Sequence, residues 1–381
     1  MTSSRSSEPR AQTLDWRAPH LSLLQSSACQ RAPTLEQKDV VRVSAEIDVW
    51  DAWPLAARDG RPLPWRGGEL WFALAAPVDA DPERRHGVAS IHHFHRIDGR
   101  FAHIGPTFPV GFSPGSREWS GCAVACGKDV TLYFTAAGVR GETAISSHQR
   151  IFSAATQLVE GPGVFAEWSD PVEIVRPDGH LYMHEHEGSG RPGQIKAFRD
   201  PAFYCLSDGT EYLVFTASSA RKPEEYNGVI GCAVGEGQGS FRVVAPLIDA
   251  CGTNNELERP HIVEHAGRLY LFWSTQAAAF SPGIDAPTGL YGAVSESMAG
   301  PWRLLNRHGL VFANAASEPF QSYSWWVLPD LSVAAFVDYW GVGNVSARSK
   351  PQGRRHFGGT FAPFLKVRLD GDTAALAEIG A

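Results

Sequence analysis

Five short aromatic-apolar triplets punctuate this chain at intervals of roughly 55 to 80 residues: Leu70-Trp71-Phe72, Leu132-Tyr133-Phe134, Leu213-Val214-Phe215, Tyr270-Leu271-Phe272 and Ala334-Ala335-Phe336. A period of that length constrains the fold strongly, because each repeat is one supersecondary unit that must bury its apolar face against a neighbour. Helical periodicity is scarce, whereas short runs of Val, Ile, Phe, Tyr and Trp alternate with glycine and proline. After the triplets come further strand-like pairs around a turn, as in F-H-R-I-D-G-R-F, A-V-G-E-G-Q-G-S-F-R-V and A-V-S-E-S-M-A-G-P-W-R-L. Each module thus has the material for a four-stranded antiparallel sheet. The expectation is an all-β fold, a five-bladed β-propeller with a central funnel-shaped pocket, against which a pair of β-sandwiches is the competing arrangement. Residues 1–40 read as an N-terminal arm or partial closure, and 41–381 as the propeller.

Composition narrows the partners. A formal net charge of −7 leaves no basic field to hold a nucleic-acid backbone or an anionic membrane. No run approaches the roughly 20 apolar residues of a membrane helix. The first 40 residues are polar and lack an apolar signal core, so signal-directed export is not expected. Cys29, Cys122, Cys126, Cys205, Cys232 and Cys251 lack paired zinc spacing and read as buried free thiols. The 12 tryptophans suit stacking on sugar rings, though an aromatic-rich β core gives the same count.

The strand preceding each triplet would line the channel of a propeller. There the chain places D-V-W-D-A-W-P (48–54), E-W-S-G (118–121), F-R-D-P (198–201), N-E-L-E-R-P-H (255–261) and E-P-F-Q-S-Y (318–323). Carboxylates seldom enter an interior unpaired, because desolvation costs several kcal/mol per ion. Acids converging on a channel fit glycoside cleavage, in which one carboxylate attacks the anomeric carbon and a protonated partner about 5 Å away donates to the leaving oxygen. The plain alternative is that Asp51, Asp200 and Glu258 are surface or turn acids. Their shared register in three repeats favours a site.

Taken in order and spacing, V-W-D-A-W-P, E-W-S-G, R-D-P and E-L-E-R-P resemble glycoside hydrolase family 68, the levansucrases, inulosucrases and bacterial β-fructofuranosidases. The resemblance runs from about residue 41 onward. It implies a deep-pocketed five-bladed propeller using sucrose as fructosyl donor, sugars or water as acceptors, and no cofactor. By the same resemblance Asp51 is the nucleophile, Glu258 the general acid and base, and Asp200 the transition-state stabiliser that binds fructosyl hydroxyls. Trp50 and Trp119 match pocket-wall residues, with core packing as their plainer role, and Ser120 matches a hydroxyl that orients the nucleophile. Arg199 and Glu256 match residues gripping the glucosyl side, Arg259 a charge partner in the acidic floor, and Tyr323 a hydrogen-bonding residue of the fifth inner strand. The implied enzyme is a levansucrase-type transferase, with a mainly hydrolytic β-fructofuranosidase as the alternative. A non-catalytic sugar-binding propeller has no need of both a nucleophile and a proton donor. The resemblance points to an extracellular enzyme, and without an export route to a cytoplasmic one.

One departure bears on product. In W-S-T-Q-A-A-A-F the chain carries Gln276 where many Gram-negative levansucrases carry histidine, at a locus that shapes the acceptor side. A weaker acceptor grip would favour hydrolysis and short oligosaccharides over long polymer. The histidine-rich runs at 91–95 and 180–187 offer ligand types for a metal, but they read as outer strands or loops, and no metal site is expected.

Overall fold

Each aromatic-apolar triplet lies inside a strand buried on both faces, which is why it reads as a continuous apolar run. These strands are Gly68–Pro77, Asp129–Ala137, Glu211–Ser218, Arg268–Thr275 and Ser332–Tyr339. In the computed structural model, which describes residues 12–25, 29–184, 195–221, 225–343 and 353–377, each pairs antiparallel with the strand preceding it. The preceding, first strands are Ile47–Ala57, Arg117–Cys126, Phe198–Cys205, Glu258–His265 and Ser322–Val327. Third and fourth strands complete each group. The hairpin between Ser90–Ile97 and Arg100–Pro106 turns on Asp98-Gly99, both at positive φ as such two-residue loops require.

The first two groups fuse into a nine-stranded sheet, because Leu55, Ala56 and Ala57 pair in parallel with Ala123, Val124 and Ala125. The other three groups form separate sheets. Each first strand lies against the first strand of the next group, and the fifth lies against the first.

All five first strands carry a register shift at the same place: between Trp50 and Trp53, Trp119 and Gly121, Arg199 and Ala202, Glu258 and His261, and Tyr323 and Trp326. Within four of them a non-glycine residue takes a left-handed backbone: Asp51 (φ 51°), Asp200 (58°), Arg259 (53°) and Ser324 (60°). Ser120 holds the equivalent place in the second. Such a conformation costs about 1–3 kcal/mol per residue and persists only where the surrounding sheet imposes it. Bulges re-aim side chains, and these set one residue per group in a common tier.

Buried hydroxyls opposite the bulges stitch successive groups. Thr135 Oγ1 donates to Ser120 O at 3.0 Å and accepts from Asp200 N at 2.9 Å. Thr216 Oγ1 lies 3.0 Å from Asp200 Oδ2 and 3.1 Å from Leu257 O, and Ser274 Oγ accepts from Trp325 N at 3.0 Å. All three hydroxyl residues are fully buried.

The segment before residue 40 packs into the body. Leu14 and Asp15 pair in parallel with Ile248 and Asp249. Trp16, fully buried, meets Trp273, Tyr291 and Phe280 at ring distances of 5.3, 5.2 and 5.7 Å, and its Nε1 donates to His308 O at 3.1 Å. One expectation needs correction. All six cysteines are free, but only Cys122, Cys232 and Cys251 are buried, and Cys126 is exposed. The run 91–95 lies in an outer strand as expected: Ser90–Ile97 is the third strand of the first group, beside the edge strand Arg100–Pro106. Of the run 180–187, residues 185–187 lie outside the described residues.

Candidate active site

The bulged tier brings the predicted residues together. Asp51 Oδ2 accepts a 2.6 Å hydrogen bond from Ser120 Oγ. Arg199, 4% exposed, sends Nη2 to Glu258 Oε1 at 2.9 Å and to Glu256 Oε1 at 3.1 Å, with Nε 3.6 Å from Asp200 Oδ2. The Tyr323 hydroxyl donates to the other oxygen of Glu258. Arg259 donates to Ala52 O at 2.9 Å, and its guanidinium lies over the rings of Trp53 and Trp326 at 5.2 and 4.9 Å. The ribbon carrying Glu256 is fixed by Asn254, whose Oδ1 accepts from Glu256 N at 2.8 Å and whose Nδ2 donates to Thr275 Oγ1 at 2.9 Å.

The electrostatics follow from burial of several like charges. Burial pushes Asp200 up to about 6; Arg199 and Arg259 oppose the rise, whereas the nearby negative charges of Glu258 and Asp51 add to it. Arg199 goes the other way from burial alone: desolvation would lower it, but Glu256, Glu258 and Asp200 together hold it charged. Arg259 is lowered by burial, against the pull of Asp51, Asp200 and Glu258. These couplings place Asp51 and Glu258 each within electrostatic reach of Asp200. Such a cluster is stable only because forked, charge-assisted hydrogen bonds replace water.

Trp50 is buried and Trp119 half-buried. Both are held by the short 3₁₀ turn Pro82–Gly87, which sequence reasoning missed. Trp119 Nε1 donates to His86 O at 3.2 Å, and Trp50 packs against the His86 ring (5.9 Å) and the Arg85 guanidinium (5.5 Å). Gln149 was missed too. Its Oε1 accepts from Arg199 Nη1 at 3.2 Å, and a lone glutamine at the start of a strand gives no signal in sequence. Gln276 stands two residues beyond Ser274, the strand partner of Glu258, and opens the turn Ala277–Ala279.

Surface cavities of about 500 and 470 Å³ lie beside Asp98 and Phe101 and beside Arg61 and Asp330, away from the acid cluster. Among the described residues no three His, Cys, Asp or Glu side chains converge as a metal cage. His92 and His103 instead hydrogen-bond each other at 2.8 Å, and burial lowers His92 to about 4.

The sequence profile of the levansucrase/invertase family matches residues 6–228 and 224–380. This chain belongs to that family. A levansucrase of Erwinia amylovora is 29% identical, with 88% of this chain and 87% of that protein covered. A levansucrase LscA of Pseudomonas savastanoi pv. glycinea is 28% identical, with 91% and 89% covered. The inulosucrase from Halalkalicoccus jeotgali, solved with kestose bound, superposes with a TM-score of 0.86 at 31% identity, covering 96% of this chain and 95% of that one. The levansucrase from Gluconacetobacter diazotrophicus shares the fold, with a TM-score of 0.80 at 20% identity over 99% and 92%. Within this levansucrase/invertase chain, Asp51, Asp200, Glu258, Ser120, Arg199, Glu256, Arg259 and Tyr323 form one connected cluster.

Proposed function

We propose that this levansucrase/invertase-family chain is a retaining β-fructosyltransferase that opens sucrose through a covalent fructosyl-enzyme and passes fructose to sugars or water. The supporting observation is that three separate first strands bring these acids together: Asp200 and Glu258 share Arg199, and Asp51 lies within electrostatic reach of Asp200. In this reading an Asp51 oxygen attacks the anomeric carbon of the fructosyl unit. The bond to the glucosyl oxygen breaks, and Glu258 gives that oxygen its proton. Glu258 then takes the proton of an acceptor hydroxyl, whose oxygen displaces Asp51. Asp200, bonding fructosyl hydroxyls, gains strength as positive charge develops on the ring. Arg199 and Glu256 hold the glucosyl side, Trp50 and Trp119 form the wall, and Ser120 aims the nucleophile.

The architecture we propose is a five-bladed β-propeller, supported by five groups of four or five strands whose first strands touch in cyclic order. Residues 41–381 form the catalytic body, and the arm before them closes against it through Trp16. Relatives named for levan and inulin synthesis favour transfer over hydrolysis as the main outcome. Glucose release from sucrose by the wild type, compared with Asp51→Ala and Glu258→Gln, tests the proposal. Turnover surviving in either variant would remove it.

A further inference from the structure

Lys196 sits where a lysine is seldom found, 8% exposed in the wall between the third and fourth groups. Its ammonium donates to Glu225 O and Asn227 Oδ1, both at 2.6 Å, and to Asn255 Oδ1 at 3.2 Å. Three acceptors match the three protons of an ammonium. Asn255 immediately precedes Glu256, and its own N–H is tied to Ala279 O at 2.9 Å. On the other side the carbonyl of Lys196 accepts from Gln149 Nε2 at 2.9 Å, and the same glutamine faces Arg199. Lys196 therefore touches the segments that carry both halves of the Arg199–Glu256 pair. Burial lowers its pKa, and Glu225 and then Glu256 draw it back up, which places Glu256 within its electrostatic reach.

We infer that Lys196 is a positioning residue for the leaving-sugar side of the pocket: it fixes residues 254–256 and so holds Glu256 on Arg199, where the glucosyl unit of sucrose binds. The inference rests on the sucrose reading above. A long cation anchored from the third group does this better than packing alone, because its hydrogen bonds fix the ribbon's distance as well as its direction. The consequence is selective. Loss of Lys196 should weaken recognition of the leaving sugar and spare chemistry at the fructosyl carbon.

Lys196→Met keeps the stem and removes charge and donors. We expect KM for sucrose to rise roughly tenfold, the loss of about one charged hydrogen bond. Kinetics on methyl β-fructofuranoside, which carries no glucosyl unit, should stay unchanged, and Lys196→Arg should recover part of the loss on sucrose. Equal impairment on both donors, or none on sucrose, overturns the inference. Should K196M fail to fold, Asn255→Ala carries the same test, since it removes the acceptor beside Glu256 and leaves the ammonium its other two. A wild type that releases no glucose from sucrose sinks the sucrose reading itself, an outcome distinct from a two-donor loss confined to the variants.

Discussion

Ser120 Oγ and Asp51 Oδ2 lie 2.6 Å apart, joining the bulges of the first two first strands, 69 residues apart in sequence. The hydroxyl engages one of the two Asp51 carboxylate oxygens. Ser120→Ala keeps the bulge and removes that bond. A hydrogen bond to a charged group contributes roughly 1.5–3 kcal/mol, so kcat for glucose release should fall about 10- to 100-fold with KM little changed. Steady-state kinetics on sucrose decide it, and an unchanged kcat would show that Asp51 is oriented by other means.

Asp200 carries a pH signature. Its carboxyl is pushed from 3.8 up to about 6, so the folded chain holds a proton that the unfolded chain has lost in between. Stability from this group is complete below the unfolded value and is lost as pH rises through the folded one. Asp200→Asn stays neutral throughout. Its melting temperature should gain on the wild type as pH rises from about 4 to about 7, while glucose release is abolished. Melting curves of both proteins across that range test the sign, and a gap that narrows contradicts it.

Arg199 holds three carboxylates, those of Asp200 and Glu256 buried and that of Glu258 half-buried. Arg199→Ala strands them, and breaking such a buried pairing typically costs about 3–5 kcal/mol. Arg199→Lys keeps the charge without the planar fork, so it should unfold at intermediate denaturant and bind sucrose poorly. Urea midpoints in the order wild type, lysine variant, alanine variant are expected.

Thr135 bridges two groups through one hydroxyl. Thr135→Val preserves shape but leaves Asp200 N–H and Ser120 C=O unpaired, at about 1–3 kcal/mol for each. A denaturation midpoint matching the wild type would mean that the stitch carries no energy.

Gln276 follows the strand that faces Glu258. Gln276→His should raise the ratio of transferred to free fructose after sucrose incubation, because a stiffer imidazole loses less rotamer freedom than the glutamine chain in holding an acceptor sugar. Product analysis by chromatography reads that ratio directly, and a lower ratio would reverse the assignment of this locus.

The repeat and the acids were legible in the chain itself. Triplets such as Leu70-Trp71-Phe72 mark strands because a β run buried on both faces must be apolar throughout, and that pattern is local. Asp51, Asp200 and Glu258 stood out by their tryptophan and arginine neighbours, and their alignment was approximate: Asp51 and Asp200 share the bulge position, which Arg259 holds in the fourth first strand, one residue after Glu258. Contacts made by ordinary residues from distant segments carried no such mark: Gln149 behind Arg199, the turn holding Trp50 and Trp119, and the hydroxyls of Thr135 and Thr216. Sequence alone therefore determined which residues could do chemistry and how many strand groups carry them. Only the tertiary structure decided the left-handed bulges at Asp51, Asp200 and Arg259 and the proton affinity of Asp200, because both arise from packing between segments that meet only when the chain has folded.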